Sequence, residues 1–183
     1  MFESLFRGYQ YLYIVKEGFT MSTVKWNGRN LIKTIAENEA AATRLYRAIA
    51  SEARLGEQFF EMLAMDEEKH EKIYNALFDK FSGKMELELE ASDAEYVDLL
   101  VESNVLFDDE LVQKAKKIFT KSQIFDLAER AERDAILFVT ELQRLYPNMA
   151  QEEMAIILKE EQAHLKKVLE RKKESQPMFG RGM

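Results

Sequence analysis

The sequence predicts an all-α protein, a four-helix bundle of two helical hairpins joined by a long crossover, with an extra helix at the N-terminus. Three observations support this fold class. The 183-residue chain is 46% hydrophobic and contains only two prolines and seven glycines, so it has ample core material and few turn signals. Apolar residues recur at helical spacing through four long segments. The sequence pattern of the first two segments also recurs in the last two.

Four long segments carry the helical pattern and form a predicted bundle domain. They cover residues 29–54, 56–81, 121–145 and 149–173. The Asn27–Gly28 pair, with Asn30, offers a start for the first helix, because short polar side chains cap helix N-termini. The third helix stops at Tyr146–Pro147, since proline cannot continue a helix. The bundle domain therefore spans residues 29–173.

The crossover between the hairpins covers residues 82–120. Within it, residues 85–92 alternate apolar and acidic side chains. Taken alone they resemble a strand, but one strand without a partner is not stable, so we expect an extended connection. Residues 93–103 and 108–119 are predicted to form short helices that carry the chain back across the bundle.

The two ends of the chain lie outside the bundle domain. Residues 1–28 are predicted to form an amphipathic helix and a linker, and residues 2–16 place six apolar side chains, most of them aromatic, on one face. That face is expected to pack within the protein or in a dimer, because only Arg7 and Lys16 would favour a membrane surface. Residues 174–183 are expected to form a flexible tail.

Composition and charge exclude several classes of protein. The net charge is −7 and the basic residues are interspersed with acids, which argues against nucleic acid as a partner. The chain has no cysteine, which excludes disulfides, iron–sulfur clusters and thiol catalysis. No apolar run is long enough to span a membrane, and the N-terminus lacks the features of a signal peptide. We therefore expect a cytoplasmic protein.

An internal repeat relates the two hairpins. The stretch "ENEAAATRLYRAI" aligns with "RAERDAILFVTEL", which places Glu39 opposite Glu132. The spacing to the next helix is also kept, because 28 residues separate Glu39 from Glu67 and 29 separate Glu132 from Glu161. The chain is therefore two hairpins of one design.

Both histidines of the chain occur in the same local frame. Glu67 precedes His70 by three residues, and Glu161 precedes His164 by three. On a helix, residues i and i+3 share one face, so each pair can reach one point. A mixture of carboxylate oxygen and imidazole nitrogen suits iron or manganese.

The repeat and these two frames together predict a dimetal carboxylate centre, built from inward-facing side chains of a four-helix bundle. The six predicted ligands are Glu39, Glu67, His70, Glu132, Glu161 and His164. The glutamate of each Glu-x-x-His frame would bridge the two metals. Glu39 with His70 would hold one metal, and Glu132 with His164 the other. The alternative is a metal-free bundle in which the same residues form a satisfied polar core.

Glu129 breaks the symmetry of the repeat. It lies three residues before Glu132, whereas the matching position in the first helix is Ala36. One metal would therefore have an additional carboxylate ligand available. The alternative is an ordinary ion pair between Glu129 and Arg133 at i+4.

Four stretches resemble the four helices of the rubrerythrin branch of the ferritin-like superfamily. They are "ENEAAATRLY" (37–46), "DEEKH" (66–70), "LAERAERDAILF" (127–138) and "LKEEQAHL" (158–165). The stretch at 94–107 is similar to the family's crossover. The resemblance implies a ferritin-like bundle with a non-haem di-iron site, reduction of hydrogen peroxide to water and, in some members, ferroxidase activity. The residues leave manganese or a mixed metal pair open.

The resemblance also implies roles for individual residues. Glu129 and Glu132 match a Glu-x-x-Glu pair in which a metal exchanges a histidine ligand for the extra glutamate when its oxidation state changes. Which of the two is the ordinary ligand stays open, although the repeat favours Glu132. Tyr46, seven residues after Glu39, matches a tyrosine that hydrogen-bonds a ligating carboxylate.

One departure from the family concerns electron supply. Classical rubrerythrins carry a rubredoxin domain that binds iron through four cysteines, and this chain has none. We therefore expect an external electron donor, such as a rubredoxin or a flavoprotein. We also expect a homodimer, and the long crossover is sufficient for hairpins to exchange between chains. Iron oxidation for storage or delivery is the alternative function.

Overall fold

The computed structural model describes residues 26–51, 56–81, 83, 88–107, 111 and 120–175. Five α helices and one short 3₁₀ turn lie in these ranges. They are α1 (Gly28–Ala50), α2 (Glu57–Phe81), α3 (Ala91–Ser103), the 3₁₀ turn Val105–Phe107, α4 (Lys121–Leu145) and α5 (Gln151–Ser175). The predicted all-α, ferritin-like bundle is confirmed. None of the described helices combines the length and apolar character that a bilayer-spanning segment requires.

Local side-chain caps fix the beginnings of two long helices. Asn27 caps α1 by accepting a 2.9 Å hydrogen bond from the backbone N–H of Asn30. Thr120 caps α4 in the same way, through a 3.3 Å bond from the N–H of Gln123. Each cap satisfies a backbone donor that the first turn of a helix leaves unpaired.

The ends of two helices differ from the prediction. Helix α1 ends at Ala50 rather than near residue 54. The chain then enters α2 through Gly56, whose φ of +98° is a conformation that other residues rarely adopt. Helix α5 continues to Ser175, two residues beyond its predicted end at 173. The predicted N-terminal helix (2–16) lies outside the described residues.

The two hairpins pack around a divided core. Phe60 lies beside Tyr46 with ring centroids 6.0 Å apart, and the guanidinium of Arg29 lies 5.1 Å from the ring of Phe78, so α1 and α2 run antiparallel. The buried apolar residues form two clusters, one towards each end of the bundle. Tyr46, Phe60, Leu63 and Val168 belong to the first, and Ile35, Tyr74, Val139 and Ile157 to the second. A layer of polar side chains lies between them along the helices.

The crossover is tied to the bundle by polar contacts. Arg144 of α4 donates a 2.7 Å hydrogen bond to Asp93 of α3, and Asp134 accepts a 3.1 Å bond from the N–H of Val105. Helix α3 therefore runs antiparallel to α4. The predicted extended connection contributes one isolated bridge, between Asn27 and Glu88. Of the helix predicted over 108–119, only residue 111 is described, and it is helical.

Candidate metal centre

The polar layer between the two apolar clusters contains the six residues that the sequence predicts as ligands. All six residues are at most 2% exposed. They are Glu39 of α1, Glu67 and His70 of α2, Glu132 of α4, and Glu161 and His164 of α5. Each lies on the inward stripe of its helix, because the apolar residues at i±3 and i±4 turn that stripe into the core.

The six residues form two overlapping groups, each offering ligand atoms within 4.8 Å of one another. The first group contains Glu39, Glu67, His70 and Glu161, and the second contains Glu67, Glu132, Glu161 and His164. Each group has three carboxylates and one histidine. The two glutamates of the Glu-x-x-His frames belong to both groups.

Each of the two shared glutamates faces both histidines. Oε2 of Glu67 lies 3.1 Å from Nδ1 of His70, and Oε1 lies 3.3 Å from Nδ1 of His164. Oε1 of Glu161 lies 2.6 Å from Nδ1 of His70, and Oε2 lies 3.9 Å from Nδ1 of His164. Each carboxylate therefore directs one oxygen towards each histidine, so Glu67 and Glu161 could each offer an oxygen to both groups.

The outer nitrogens of both histidines are held by carboxylates that the sequence analysis missed. Nε2 of His70 lies 2.9 Å from Oε2 of Glu160, and Nε2 of His164 lies 3.3 Å from Oδ2 of Asp66. Such a partner fixes the histidine tautomer and leaves Nδ1 free to bind a metal. The sequence carries a signal for these residues, because an acid directly precedes the glutamate of each Glu-x-x-His frame.

These outer pairs run between the hairpins in both directions. Glu160 of α5 holds the histidine of α2, and Asp66 of α2 holds the histidine of α5. The guanidinium of Arg171 on α5 also lies 5.7 Å from the ring of Phe59 on α2. Helices α2 and α5 are therefore antiparallel, with the histidine pairs at the middle of their contact.

Tyr46 lies beside the second group. Its hydroxyl donates a 2.5 Å hydrogen bond to Oε1 of Glu132, and the side chain is 1% exposed. Burial first, and then the nearby carboxylate of Glu132, raise the pKa of Tyr46 well above its ordinary value. The phenol therefore stays a hydrogen-bond donor at any physiological pH.

Glu129 is not brought together with the other candidates. Its carboxylate accepts hydrogen bonds of 3.0 and 2.8 Å from the guanidinium of Arg133 and one of 2.6 Å from Lys172. These bonds, with Lys172 contributing most, lower the pKa of Glu129. In this conformation the side chain is an ion-pair partner at the edge of the bundle.

The carboxylates of the ligand set have divergent pKa values. Burial and the neighbouring carboxylates of Glu161 and Glu67 raise the pKa of Glu39 well above its ordinary value. Burial and the same two neighbours raise the pKa of Glu132. Burial also acts to raise the pKa of Glu67, but its hydrogen bonds to the two histidines outweigh that effect and lower it to about 2.

Both histidines favour the protonated form in the metal-free site. Burial acts to lower the pKa of His70, but the facing carboxylates of Glu161 and Glu67 outweigh it and raise the pKa to about 12. The same balance raises the pKa of His164 to about 11. Protons therefore occupy positions that a metal would have to take.

The ligand set fits a pair of divalent cations. Both oxygens of Glu39 and of Glu161, Oε2 of Glu132 and Nδ1 of His164 are buried without a well-directed hydrogen bond. Buried polar atoms in that state are costly unless another partner, such as a metal, satisfies them. Four carboxylates also carry four negative charges, which two divalent ions neutralise. A buried site with no net charge avoids most of the desolvation cost.

Comparison with known proteins agrees with this geometry. The sequence model of the family described as Rubrerythrin matches residues 30–172, which extend from the first turn of α1 into the last turn of α5 and include all six ligand candidates. A search of curated proteins found no match, and neither did a search of solved structures. The match covers most of the 183 residues. The chain therefore belongs to the rubrerythrin family, which implies a di-iron site in this bundle.

Proposed function

We propose that this chain is a non-haem di-iron redox protein that reduces hydrogen peroxide to water with electrons from an external donor. The observation that carries the proposal is the pair of overlapping ligand groups, in which Glu67 and Glu161 each direct one oxygen towards each histidine. Family membership supports iron as the metal. The mixed oxygen and nitrogen set is also one that iron favours.

Reduction of hydrogen peroxide to two waters consumes two electrons and two protons. Two ferrous ions held by the six ligands would supply the two electrons. The protein contributes the fixed positions: Asp66 and Glu160 hold the histidines, and Tyr46 holds Glu132. Asp66 and Glu160 are 26% and 53% exposed. Unlike the ligands, they can exchange protons with solvent.

The ligand exchange implied by the family resemblance would require Glu129 to move. Its carboxylate would leave both Arg133 and Lys172 before it could approach the second ligand group. Both of those cations are on the bundle surface, where a single ion pair contributes little stability. Such contacts hold Glu129 weakly enough for it to exchange.

Anaerobic stopped-flow mixing tests the proposal. Protein reconstituted with ferrous iron is mixed with hydrogen peroxide or with dioxygen, and oxidation is followed by absorbance. We expect peroxide to oxidise the centre faster than dioxygen at equal concentration. Oxidation by peroxide that is no faster than by dioxygen contradicts peroxide reduction. A His70→Ala, His164→Ala double variant is the control, since it removes the nitrogen ligand of each group.

Iron oxidation for storage or delivery is the second candidate. The observation in its favour is that the two ligand groups have the same composition while Glu129 stays in its ion pairs. Storage needs a large shell, whereas we propose that this chain forms a homodimer. Size-exclusion chromatography with light scattering separates the two, and a dimer would count against storage by this protein alone.

Metal analysis after iron reconstitution separates both redox functions from a metal-free structural bundle. We expect two iron ions per chain. A content below about one metal per chain would remove both redox candidates, because each group alone offers a complete set of four ligand residues.

A further inference from the structure

Two buried tyrosines flank the ligand set, and only one of them has a hydrogen bond. Tyr46 donates to Glu132. Tyr74 of α2 is 0% exposed, yet its hydroxyl has no hydrogen-bond partner in the described part of the chain. A buried hydroxyl without a partner costs about 1–3 kcal/mol, so it calls for an explanation.

The position of Tyr74 places it next to the first ligand group. It follows His70 by four residues, so it lies one turn further along the same face of α2. In the apolar cluster at that end of the bundle, Tyr74 lies with Ile35 and Ile157. Those residues are one helical turn before Glu39 and Glu161, respectively.

The electrostatic surroundings of the two tyrosines point to different groups. Burial first, and then the carboxylates of Glu39, Glu161 and Glu67, raise the pKa of Tyr74. Those three carboxylates are the acids of the first ligand group. For Tyr46 the corresponding carboxylate is that of Glu132, which belongs to the second group only.

The internal repeat indicates that each tyrosine serves a different ligand group. In the aligned second hairpin, valine occupies both matching positions: Val139 corresponds to Tyr46, and Val168 to Tyr74. Both valines are 0% exposed. Each ligand group therefore has one neighbouring tyrosine, and both tyrosines come from the first hairpin.

We propose that Tyr74 is a positioning residue for Glu39: in the metal-loaded protein its hydroxyl donates a hydrogen bond to the Glu39 carboxylate, as Tyr46 does to Glu132. The inference rests on the metal site of the proposed function. Both oxygens of Glu39 and the hydroxyl of Tyr74 are buried without partners. One hydrogen bond would satisfy a donor and an acceptor together, and would orient a ligating carboxylate.

The test compares three tyrosine-to-phenylalanine variants of the full chain. Tyr74→Phe removes the proposed donor, and Tyr46→Phe removes the existing one. Tyr146→Phe is the matched control, because it deletes a hydroxyl at the C-cap of α4, outside both ligand groups. Two quantities are measured: the stability of the metal-free protein in urea, and Co²⁺ binding under nitrogen by visible absorption.

We expect Tyr74→Phe to leave the metal-free protein as stable as wild type or more stable, because it removes an unsatisfied hydroxyl. We also expect it to weaken one of the two Co²⁺ binding steps about tenfold or more, the usual effect of losing a partner of a ligand. Tyr146→Phe should leave both steps unchanged. A residue that only packs would not produce this combination.

Two results would overturn the inference, and they are distinguishable. If wild type binds two Co²⁺ ions and Tyr74→Phe binds both equally tightly with the same absorption bands, Tyr74 has no positioning role and the proposed metal site stands. If wild type binds no Co²⁺, the proposed function and the inference both fail. The urea curves show whether each variant is folded.

Discussion

Metal loading should expel protons from the buried site. In the metal-free protein, the pKa values of His70 and His164 are about 12 and about 11, so both are protonated at pH 7. Burial and neighbouring carboxylates raise the pKa values of Glu39 and Glu132 well above the ordinary range. Metal ligands bind in their deprotonated forms, so two metals should displace between two and four protons.

The size of the pH effect follows from that number. One proton displaced changes the binding free energy by about 1.36 kcal/mol per pH unit. Displacement of two to four protons therefore makes the binding of two metals more favourable by roughly 3–5 kcal/mol for each unit that the pH rises near 7. The overall association constant would then rise by roughly 10²–10⁴ per pH unit.

A proton-release titration measures this directly. Mn²⁺ is added under nitrogen to weakly buffered metal-free protein at pH 7, and a pH indicator reports the protons released. The His70→Ala, His164→Ala double variant is the control, since it lacks the two histidines that carry protons. Fewer than two protons released by wild type on binding two metals would refute the reasoning about the charge of the site.

Three further predictions concern the outer pairs, the pH dependence of stability and the hairpin turn. Replacing Asp66 with Asn and Glu160 with Gln should lower metal affinity about 10–100-fold in isothermal titration, because both histidines lose the charged carboxylate that orients them. Since the pKa values of His70 and His164 are raised above 6.5, their stabilisation is complete below pH 6.5 and is lost as the pH rises. Urea denaturation of the metal-free protein should therefore show stability falling as the pH rises above 6.5, and a flat profile would contradict the assignment. Gly56→Ala should destabilise the protein by about 1–2 kcal/mol. The cause would be backbone strain alone, since φ is +98° and no atom lies within 4 Å of an added Cβ. An unchanged thermal unfolding temperature would argue against the conformation of Gly56 between α1 and α2.

Helix boundaries that depend on local signals were predictable from the sequence, whereas those that depend on the turn between two helices were not. The caps at Asn27 and Thr120 depend on side chains three residues apart, so local sequence suffices to place them. The end of α1 depends on where the chain must turn towards α2, and apolar periodicity carries no information about that turn. The start of α5 was misplaced by two residues for a similar reason, since Ala150 with φ of 45° belongs to the turn.

The six ligand candidates could be found in the sequence because their relationships are local or repeated. The i, i+3 frames lie within one helix, and the repeat relates one hairpin to the other. The ion pairs of Glu129 could not be predicted from local spacing or from the repeat, because one of its partners, Lys172, is 43 residues away in the sequence. The partners of the histidines were missed for the same reason, since Asp66 and Glu160 each act across the contact between α2 and α5.

The reciprocal arrangement of the histidine pairs has a consequence for symmetry. Each ligand group takes residues from both hairpins, and each histidine is oriented by an acid from the opposite hairpin. A single hairpin could not complete either group, but two copies related by a two-fold rotation could complete both. The chain is therefore a covalently joined pseudo-dimer of hairpins. Because the crossover joins the two hairpins in one chain, their sequences need not be identical. They differ, for example, where the first hairpin has tyrosine and the second has valine.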